Sequence, residues 1–544
     1  MNSYPQKTWL VIIFLVIVGG VLRLPNLGES LWHDEMLYST KYLVPSLSDL
    51  WRISLYDAPA PLYRVLMFFW TTLFGEHELA LRTPSLLFGI LSILLVYGIA
   101  QEYDSRKAAA LAALLLCLSP VHIWYSQEAN PYSMAIFFLL ATVYLSQRIR
   151  TDKVSAGWHI LYLICFLIAV LTHYYTAIFL LPLSILALSS EKLTRRRIIA
   201  SHCVIVLCLA TSLGIKIASG NLISGLPFAR PFTFFEWWML FFNWFSHGNA
   251  LWSVNPYQAS VDYLGTRELL IFFQLIFLTI FLRGLMPIAR KTTWKVTQEL
   301  SLFLFSMPLI MMFLTQVGMN DLYIERYLVF VLPFFLIVLA KGASGFASRT
   351  LGVFTVLFVL TVGVASCLAF YYKSDTWTVY KQNPDWRGAA SHLMQEESNA
   401  DEELIFAGTQ ANTLDYYLKR KRFSVIPIRS KHEYHEYMET LERANMKKIY
   451  LIKNHSWAGN FGAVFLKMKE DQEFRLVSSR NFKGLSVYLF VPSTPSTSPL
   501  ATTSQQTGNT LYRSDDSTVQ KIGSTTDGSD GTTCQKLGSL IHCN

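Results

Sequence analysis

The sequence predicts an α-helical polytopic membrane protein with a small external α/β domain and a disordered C-terminal tail. Three observations lead there. The chain is 52% hydrophobic and 14% aromatic but only 15% charged over 544 residues, with a mean hydropathy of +0.34, a balance that soluble globules do not show. Long apolar segments recur up to Tyr371, with basic residues gathered in the short stretches between them. Beyond Tyr371 the apolar segments stop and charged stretches begin.

Taken in order, the candidate spans are residues 9–24, 84–100, 108–124, 131–146, 158–171, 176–190, 198–217, 269–287, 300–317, 327–340 and 351–371. These make about eleven transmembrane helices, several short enough to need snorkelling polar flanks. The apolar segment Leu62–Phe74 is about thirteen residues long where a span needs about twenty, so it reads as an interfacial helix. Charge favours that choice. With this segment at the surface, Lys7, Arg106, Lys107, Arg148, Arg150, Lys153, Lys192, Arg195, Arg196, Arg197, Arg290, Lys291, Lys295, Lys341 and Arg349 all face one side, as the positive-inside rule asks of a cytoplasmic face. If it crossed, the later basic loops would lie outside. The first span has no small-residue cleavage site after it and closes on Arg23, unlike a signal peptide. The same loop distribution accounts for the net charge of +9, so the basic balance predicts membrane topology and no nucleic-acid partner. Cys117, Cys165, Cys203, Cys208 and Cys367 lie in apolar segments without metal-ligand spacing and read as small hydrophobes.

The domain boundaries follow: a transmembrane domain over 1–372, an external α/β domain over 373–491, and a Ser/Thr-rich tail over 492–544. In the second, 385–397 and 431–443 read as helices, and 404–406, 448–452 and 486–491 as strands. The tail is too poor in large apolar residues to offset its ordering entropy. Its Cys534 and Cys543 are either a disulfide or two unrelated thiols.

Asp34 and Glu35 stand out, because two adjacent acids beside an apolar span are costly unless they bind something or move protons. The topology places them on the external side with Arg64, Arg82, the turn 126–130, His173, Tyr174, the loop 219–267 and the segment 321–326. Aromatic residues at such positions also read as membrane-interface belts. Asp34 also suits the N-cap of a short helix, and Glu35 its first turn. His33 and His122 lack a second ligand at metal spacing and read as structural.

The runs Ser30-Leu31-Trp32-His33-Asp34-Glu35, Ala58-Pro59-Ala60-Pro61-Leu62-Tyr63, Leu81-Arg82-Thr83-Pro84, Ser119-Pro120, Tyr125-Ser126-Gln127-Glu128-Ala129-Asn130-Pro131-Tyr132 and Glu325-Arg326-Tyr327, in this order, resemble family 39-like membrane glycosyltransferases of the GT-C fold. That group includes the protein O-mannosyltransferases and the lipid A aminoarabinose and galacturonic acid transferases. Asp385-Trp386-Arg387 also looks like a recurrent feature of such proteins. The resemblance implies transfer of a sugar from a polyprenyl-phosphate donor to an external lipid, glycan or protein acceptor, at the plasma (inner) membrane with the site and C-terminal domain on the periplasmic or external side. In that chemistry a carboxylate takes the acceptor proton, and Asp34 matches the family's acidic position, with Glu35 and Glu128 as further candidates. The leaving phosphate needs cations, for which Arg326 comes first and Arg82 second, with Tyr63, His173, Tyr174 and Asn130 as hydrogen-bonding candidates. Some relatives hold a divalent cation through a polar residue followed by two prolines. This chain has Pro59-Ala60-Pro61 there, so no metal ligand is assigned and a divalent cation stays an option of the resemblance only. Other relatives carry an acid at the position of Asn130, and here Glu128 stands two residues earlier. Two other readings compete: a transporter or flippase of lipid-linked sugars, and an O-antigen ligase or polymerase type of enzyme. Broken, paired helices with mid-membrane charges would favour transport, and paired external arginines would favour the ligase.

Overall fold

The computed structural model describes residues 6–32, 34–36, 46–56, 59–152, 154–218, 231–248, 266–286, 294–319, 323–372, 383–396, 403–407, 411–418, 424–427, 448–454, 474–493, 534–537 and 540–543. His33, most of the loop 219–267 and the expected helix 431–443 lie largely or wholly outside them. Two units are distinguished, Met1–Pro492 and Ser493–Asn544.

Each expected span coincides with helix. In chain order these are α1 (Gln6–Val21), α2 (Leu47–Tyr56), α3 (Leu62–Phe74), α4 (Glu78–Tyr103), α5 (Arg106–Leu118), α6 (Pro120–Gln127), α7 (Tyr132–Thr151), α8 (Ala156–Thr172), α9 (Leu180–Leu188), α10 (Lys192–Ala218), α11 (Phe234–Met239), α12 (Thr266–Leu285), α13 (Trp294–Gln316), α14 (Leu332–Ser344) and α15 (Arg349–Tyr371). Short 3₁₀ turns, Tyr174–Phe179 and Glu325–Val331, lead into α9 and α14. Six helical stretches among the described residues are long and apolar enough to cross a membrane, and α5 with α6 makes a seventh if that bent pair is one span.

The expected span 108–124 is therefore not straight: it bends by 58° between α5 and α6. Pro120 has no N–H to give Leu116, and its ring clashes with a continuing helix. Ser119 caps the new helix by accepting from the His122 amide. Arg23 repairs the break, donating to the carbonyls of Leu116 (3.1 Å) and Cys117 (3.4 Å) and to Ser126 Oγ (3.2 Å), with Nη2 2.7 Å from His122 Nδ1.

Contacts fix which loops share an end. At one end Arg148 pairs with Glu102 (3.0 Å), Arg150 with Glu299 (2.9 Å), and Lys341 donates to the Gly284 carbonyl (2.8 Å). These are ends that charge patterning assigns to a single face. α12 and α14 cross closely, because a Cβ added at Gly342 would lie 2.0 Å from the Ile280 carbonyl oxygen. The helix α3, expected at the interface, turns Tyr63, Arg64, Met67 and Thr71 inward.

The external domain carries α16 (Trp386–Glu396), α17 (Ala411–Tyr417) and strands β1 (Glu403–Ala407), β2 (Ser424–Pro427), β3 (Lys448–Asn454), β4 (Phe474–Phe482) and β5 (Leu485–Pro492). The order is β2-β1-β3-β5-β4, parallel from β2 to β3 and antiparallel beyond. Trp386, Leu393, Leu414, Tyr450 and Val487 pack its core. The sequence reading found β1, β3 and β5 and missed β2 and β4; the largely exposed β4 offers no alternating apolar face to read. Within Ser493–Asn544, β6 (Cys534–Leu537) and β7 (Leu540–Cys543) pair antiparallel with Cys534 opposite Cys543.

Candidate active site

The chain leaves α1 through a tight turn at Asn26, which has a left-handed φ of 67°, and reaches a helical turn at 34–36 closed by the Met36 amide on the Trp32 carbonyl (3.2 Å). Successive residues on such a turn point about 100° apart, so the adjacent acids separate. Glu35 turns inward and Asp34 does not.

Glu35 is fully buried and forms a bidentate pair with Arg82 of α4, Nε to Oε1 and Nη2 to Oε2, both 2.7 Å. Its oxygens also accept the amides of Ala129 (2.9 Å) and Trp32 (3.1 Å). The remaining Arg82 donors are taken by the carbonyls of Leu27 (2.8 Å), Glu29 (2.7 Å), Asn26 (3.3 Å) and Ser30 (3.2 Å). Neither residue has hydrogen-bonding capacity left, and neither is open to a ligand. Glu35, a candidate for a site role or for the first turn of a helix, and Arg82, the second candidate for the phosphate, bind each other here, and together they tie the first loop to α4 and to the turn after α6.

Asp34 Oδ2 instead accepts from Arg326 Nη1, a residue 292 positions away at the start of the 3₁₀ turn before α14. Their side chains keep 22% and 31% of their surface exposed, against 0% and 1% for Glu35 and Arg82. Arg326 Nε is buried without a hydrogen-bond partner among the described residues. The cation therefore has directional capacity to spare.

Glu128 ends α6 in an extended conformation. Its Oε2 accepts the Asn130 side-chain amide, and the buried carboxyl also lies beside the Trp124 side chain. Burial first, then the nearby Glu35 and Asp34 charges, push its carboxyl up to about 8 against the pull of Arg326. The site therefore favours the protonated form of this carboxyl over the charged one. Asn130 has its other groups committed to the turn, its Oδ1 to the Tyr132 amide (3.2 Å) and its carbonyl to Ser85 Oγ (3.1 Å). Tyr63 sits behind it with its hydroxyl 3.3 Å from Ser85 Oγ.

Aromatic rings close the site. Tyr125 lies 4.7 Å from Tyr132, Tyr132 5.2 Å from His173, and His173 5.4 Å from Tyr327, between ring centroids. Tyr125, Tyr132, Tyr327 and His173 all sense the Arg326 charge. Burial, reinforced by Arg326, holds His173 neutral at about 3. Trp244, in the turn of π-helix Leu240–Phe245, meets Tyr125 edge-on at 6.4 Å.

Of the expected residues, Asp34, Glu128, Arg326 and His173 are brought together, with Asn130 and Tyr63 supporting from behind. Tyr174 is not among them: its hydroxyl bonds Ser212 Oγ (2.6 Å), and Lys216 Nζ lies 5.8 Å from its ring. The one-residue step from His173 into a 3₁₀ turn sends it elsewhere. Tyr125, Tyr132 and Tyr327 were not singled out from sequence, although each lies inside a motif run. In the loop, Phe232 is buried against Tyr323 (4.5 Å), while Phe234 and Phe235 face outward.

Among the described residues no three His, Cys, Asp or Glu side chains are grouped to hold a metal ion. Near the site Asp34 binds a guanidinium and Glu35 binds four donors.

Residues 57–215 match the model of a family described as dolichyl-phosphate-mannose-protein mannosyltransferase. No curated protein sequence matches the chain. Among solved structures, ArnT from Cupriavidus metallidurans in the apo state aligns with a TM-score of 0.57 at 12% identity, over 89% of this chain and 98% of that one. The same protein bound to undecaprenyl phosphate aligns with a TM-score of 0.51 at 13% identity, with the same coverage. Arabinofuranosyltransferase AftD from Mycobacteria aligns with a TM-score of 0.50 at 12% identity, over 91% of this chain and 42% of that one. At such identities the likeness is one of fold, and with the family match over 57–215 it identifies the chain as having the GT-C fold of membrane glycosyltransferases.

Proposed function

We propose that this protein is a glycosyltransferase that moves a sugar from a polyprenyl-phosphate donor to a hydroxyl-bearing acceptor, with Asp34 as base and Arg326 as the ligand of the donor phosphate. The observation that carries the reading is the accessible Asp34–Arg326 pair beside a proton-holding Glu128, at the end of the bundle where the buried Glu35–Arg82 pair fixes the loop. ArnT, of the same fold, binds undecaprenyl phosphate.

Before the donor arrives, Arg326 occupies Asp34. A lipid phosphate is a stronger partner for a guanidinium, because it offers several charged oxygens to a fork of donors. Its arrival moves Arg326 onto the phosphate and frees the Asp34 oxygen. The acceptor oxygen then attacks the anomeric carbon, the bond to the phosphate oxygen breaks, and the acceptor proton passes to Asp34. Polyprenyl phosphate leaves with its charge held by Arg326. Glu128, neutral, adds no repulsion to the incoming phosphate and has a carboxyl O–H to donate. The aromatic wall of Tyr125, Tyr132 and Tyr327 offers ring faces to the sugar. Basic residues concentrated at the opposite end of the bundle support a multi-pass plasma (inner) membrane location with this site facing outward.

The test is consumption of a panel of polyprenyl-phosphate sugars by membranes holding wild type or Asp34→Asn at matched protein level, with acceptor-bearing native membranes supplied. Wild-type turnover of one donor that the variant loses supports the reading. Movement of intact lipid-linked sugar across the bilayer, indifferent to Asp34→Asn, would replace it with transport.

A further inference from the structure

Asp385-Trp386-Arg387 has no part in the chemistry above, yet its geometry is specific. Trp386 is fully buried in the external domain's core, while the residues on either side of it reach back to the first loop of the membrane domain. Asp385 Oδ1 accepts from Ser30 Oγ (3.1 Å) and caps α16 through the Gly388 amide (2.9 Å). The Arg387 amide donates to Ser30 Oγ (3.3 Å), and its guanidinium reaches the Gly28 carbonyl and Glu78 Oε1 (3.5 Å). Asn383 donates to the Ser30 carbonyl (3.1 Å), the same oxygen that Arg82 uses. Lys483 pairs with Glu29 (3.0 Å).

Tyr417 of α17 completes the arrangement. Its hydroxyl accepts from the Leu31 amide (2.7 Å) and donates to Glu78 Oε1 (2.9 Å). Glu78 stands one turn before Arg82 on α4. One hydroxyl therefore joins the two segments that the Glu35–Arg82 pair also joins, from the opposite side.

We propose that the external domain is a positioning element of the active site, in which Asp385, Arg387 and Tyr417 hold backbone 28–31 so that Asp34 meets Arg326. The loop is gripped from within by Arg82 and from outside by this domain, three residues before the acid. With the outer grip released, only the inner pair limits the loop. A shift of about 1 Å in a reacting group is enough to lower turnover strongly without abolishing binding. The proposal rests on Asp34 being the base, and its test carries a readout that does not.

The experiment uses the full chain in detergent and compares wild type, Tyr417→Phe, Asp385→Ala and, as a control, Arg480→Ala, whose side-chain contacts are with His392 and the Phe482 ring, both inside the domain. Hydrogen exchange followed by mass spectrometry reads the peptide spanning 28–36. Donor turnover reads kcat and KM separately. The expected result for Tyr417→Phe and Asp385→Ala is exchange at 28–36 faster by on the order of ten-fold, from loss of a part-buried partner. Exchange in the transmembrane peptides should stay unchanged, with kcat lower by on the order of ten-fold and donor KM within about two-fold. Arg480→Ala should change neither. Unchanged exchange at 28–36 would overturn the proposal whatever the activity, and so would faster exchange with wild-type kcat. Faster exchange in a protein whose wild type turns over no donor would keep the grip on the loop and reject the glycosyltransferase reading instead.

Discussion

Replacing Arg82 with methionine separates the two arginines most sharply. The substitution keeps an unbranched apolar stem and removes the guanidinium, which leaves Glu35 fully buried with two backbone amides as its remaining partners. Breaking one side of such a pair costs about 3–5 kcal/mol, because the stranded charge is uncompensated. The carbonyls of Asn26, Leu27, Glu29 and Ser30 lose a shared donor as well, which pushes the cost toward the upper end. Unfolding in detergent should therefore shift strongly to lower temperature, and adding Glu35→Gln to Arg82→Met should recover part of the loss by removing the stranded charge. The fraction that stays folded should bind polyprenyl phosphate as wild type does. Asp34→Asn should behave oppositely: its pair is partly exposed, so stability should change by no more than about 1 kcal/mol, while turnover drops by about 10²- to 10⁴-fold. If Arg82→Met unfolds at the wild-type temperature and loses polyprenyl-phosphate binding, Arg82 touches the donor and the assignment of the two pairs is reversed.

Further expectations concern the phosphate, the proton and the helix crossing. Arg326→Gln should weaken polyprenyl-phosphate binding by on the order of ten-fold or more, through loss of a charge-assisted fork, measured by lipid titration at fixed ionic strength. Turnover should fall as pH rises through about 8, where Glu128 loses its proton beside Asp34 and Glu35, and Glu128→Gln should remove that limb of the pH profile. The same carboxyl is raised from an ordinary 4.5, so between these values the folded chain holds a proton that the unfolded chain has released. Stability should consequently fall as pH rises through that window, and Glu128→Gln should flatten the fall. Gly342→Ala would force a methyl against the Ile280 carbonyl, and thermal unfolding should register a loss of about 1–3 kcal/mol as α12 and α14 separate.

Much of the bundle was legible because lipid-facing helices must be apolar along their whole length, and nothing in the pattern competes with that demand. What failed were the places where a span is interrupted. Ser119-Pro120 carried its own signal, a capping residue followed by a proline, yet the apolar run through it read as one helix; the Ser119 cap and the Arg23 contacts together satisfy backbone groups at the 58° bend. Asp34 and Arg326 could be named because a charge beside an apolar span is conspicuous, but a pairing across 292 positions has no local signature. Glu35 stayed divided between a site role and the first turn of a helix, because adjacency to Asp34 does not say which way its side chain points. On a helical turn it means divergence, and the direction of each side chain depends on which core, here Arg82 and the Ala129 amide, lies behind the loop. The tyrosines were overlooked for the opposite reason, since aromatic residues at a membrane boundary need no special explanation.

The two ion pairs divide their work according to solvent and hydrogen-bond saturation rather than charge. A buried, fully satisfied pair cannot exchange partners without exposing a charge to a medium that does not solvate it, so Glu35–Arg82 is suited to hold geometry through a reaction cycle. A pair with exposed surface and an unused Nε can exchange one oxyanion for another at little cost, which is what binding and releasing a phosphate requires. In the proposed reaction, both pairs on one loop, one residue apart, keep the acid in position while Arg326 changes partner. The external domain's hydrogen bonds to Ser30 and Leu31 would, in the proposed positioning role, serve the same end. The loop is therefore held at two points, and Asp34 is the one charge on its helical turn that remains free to change partner.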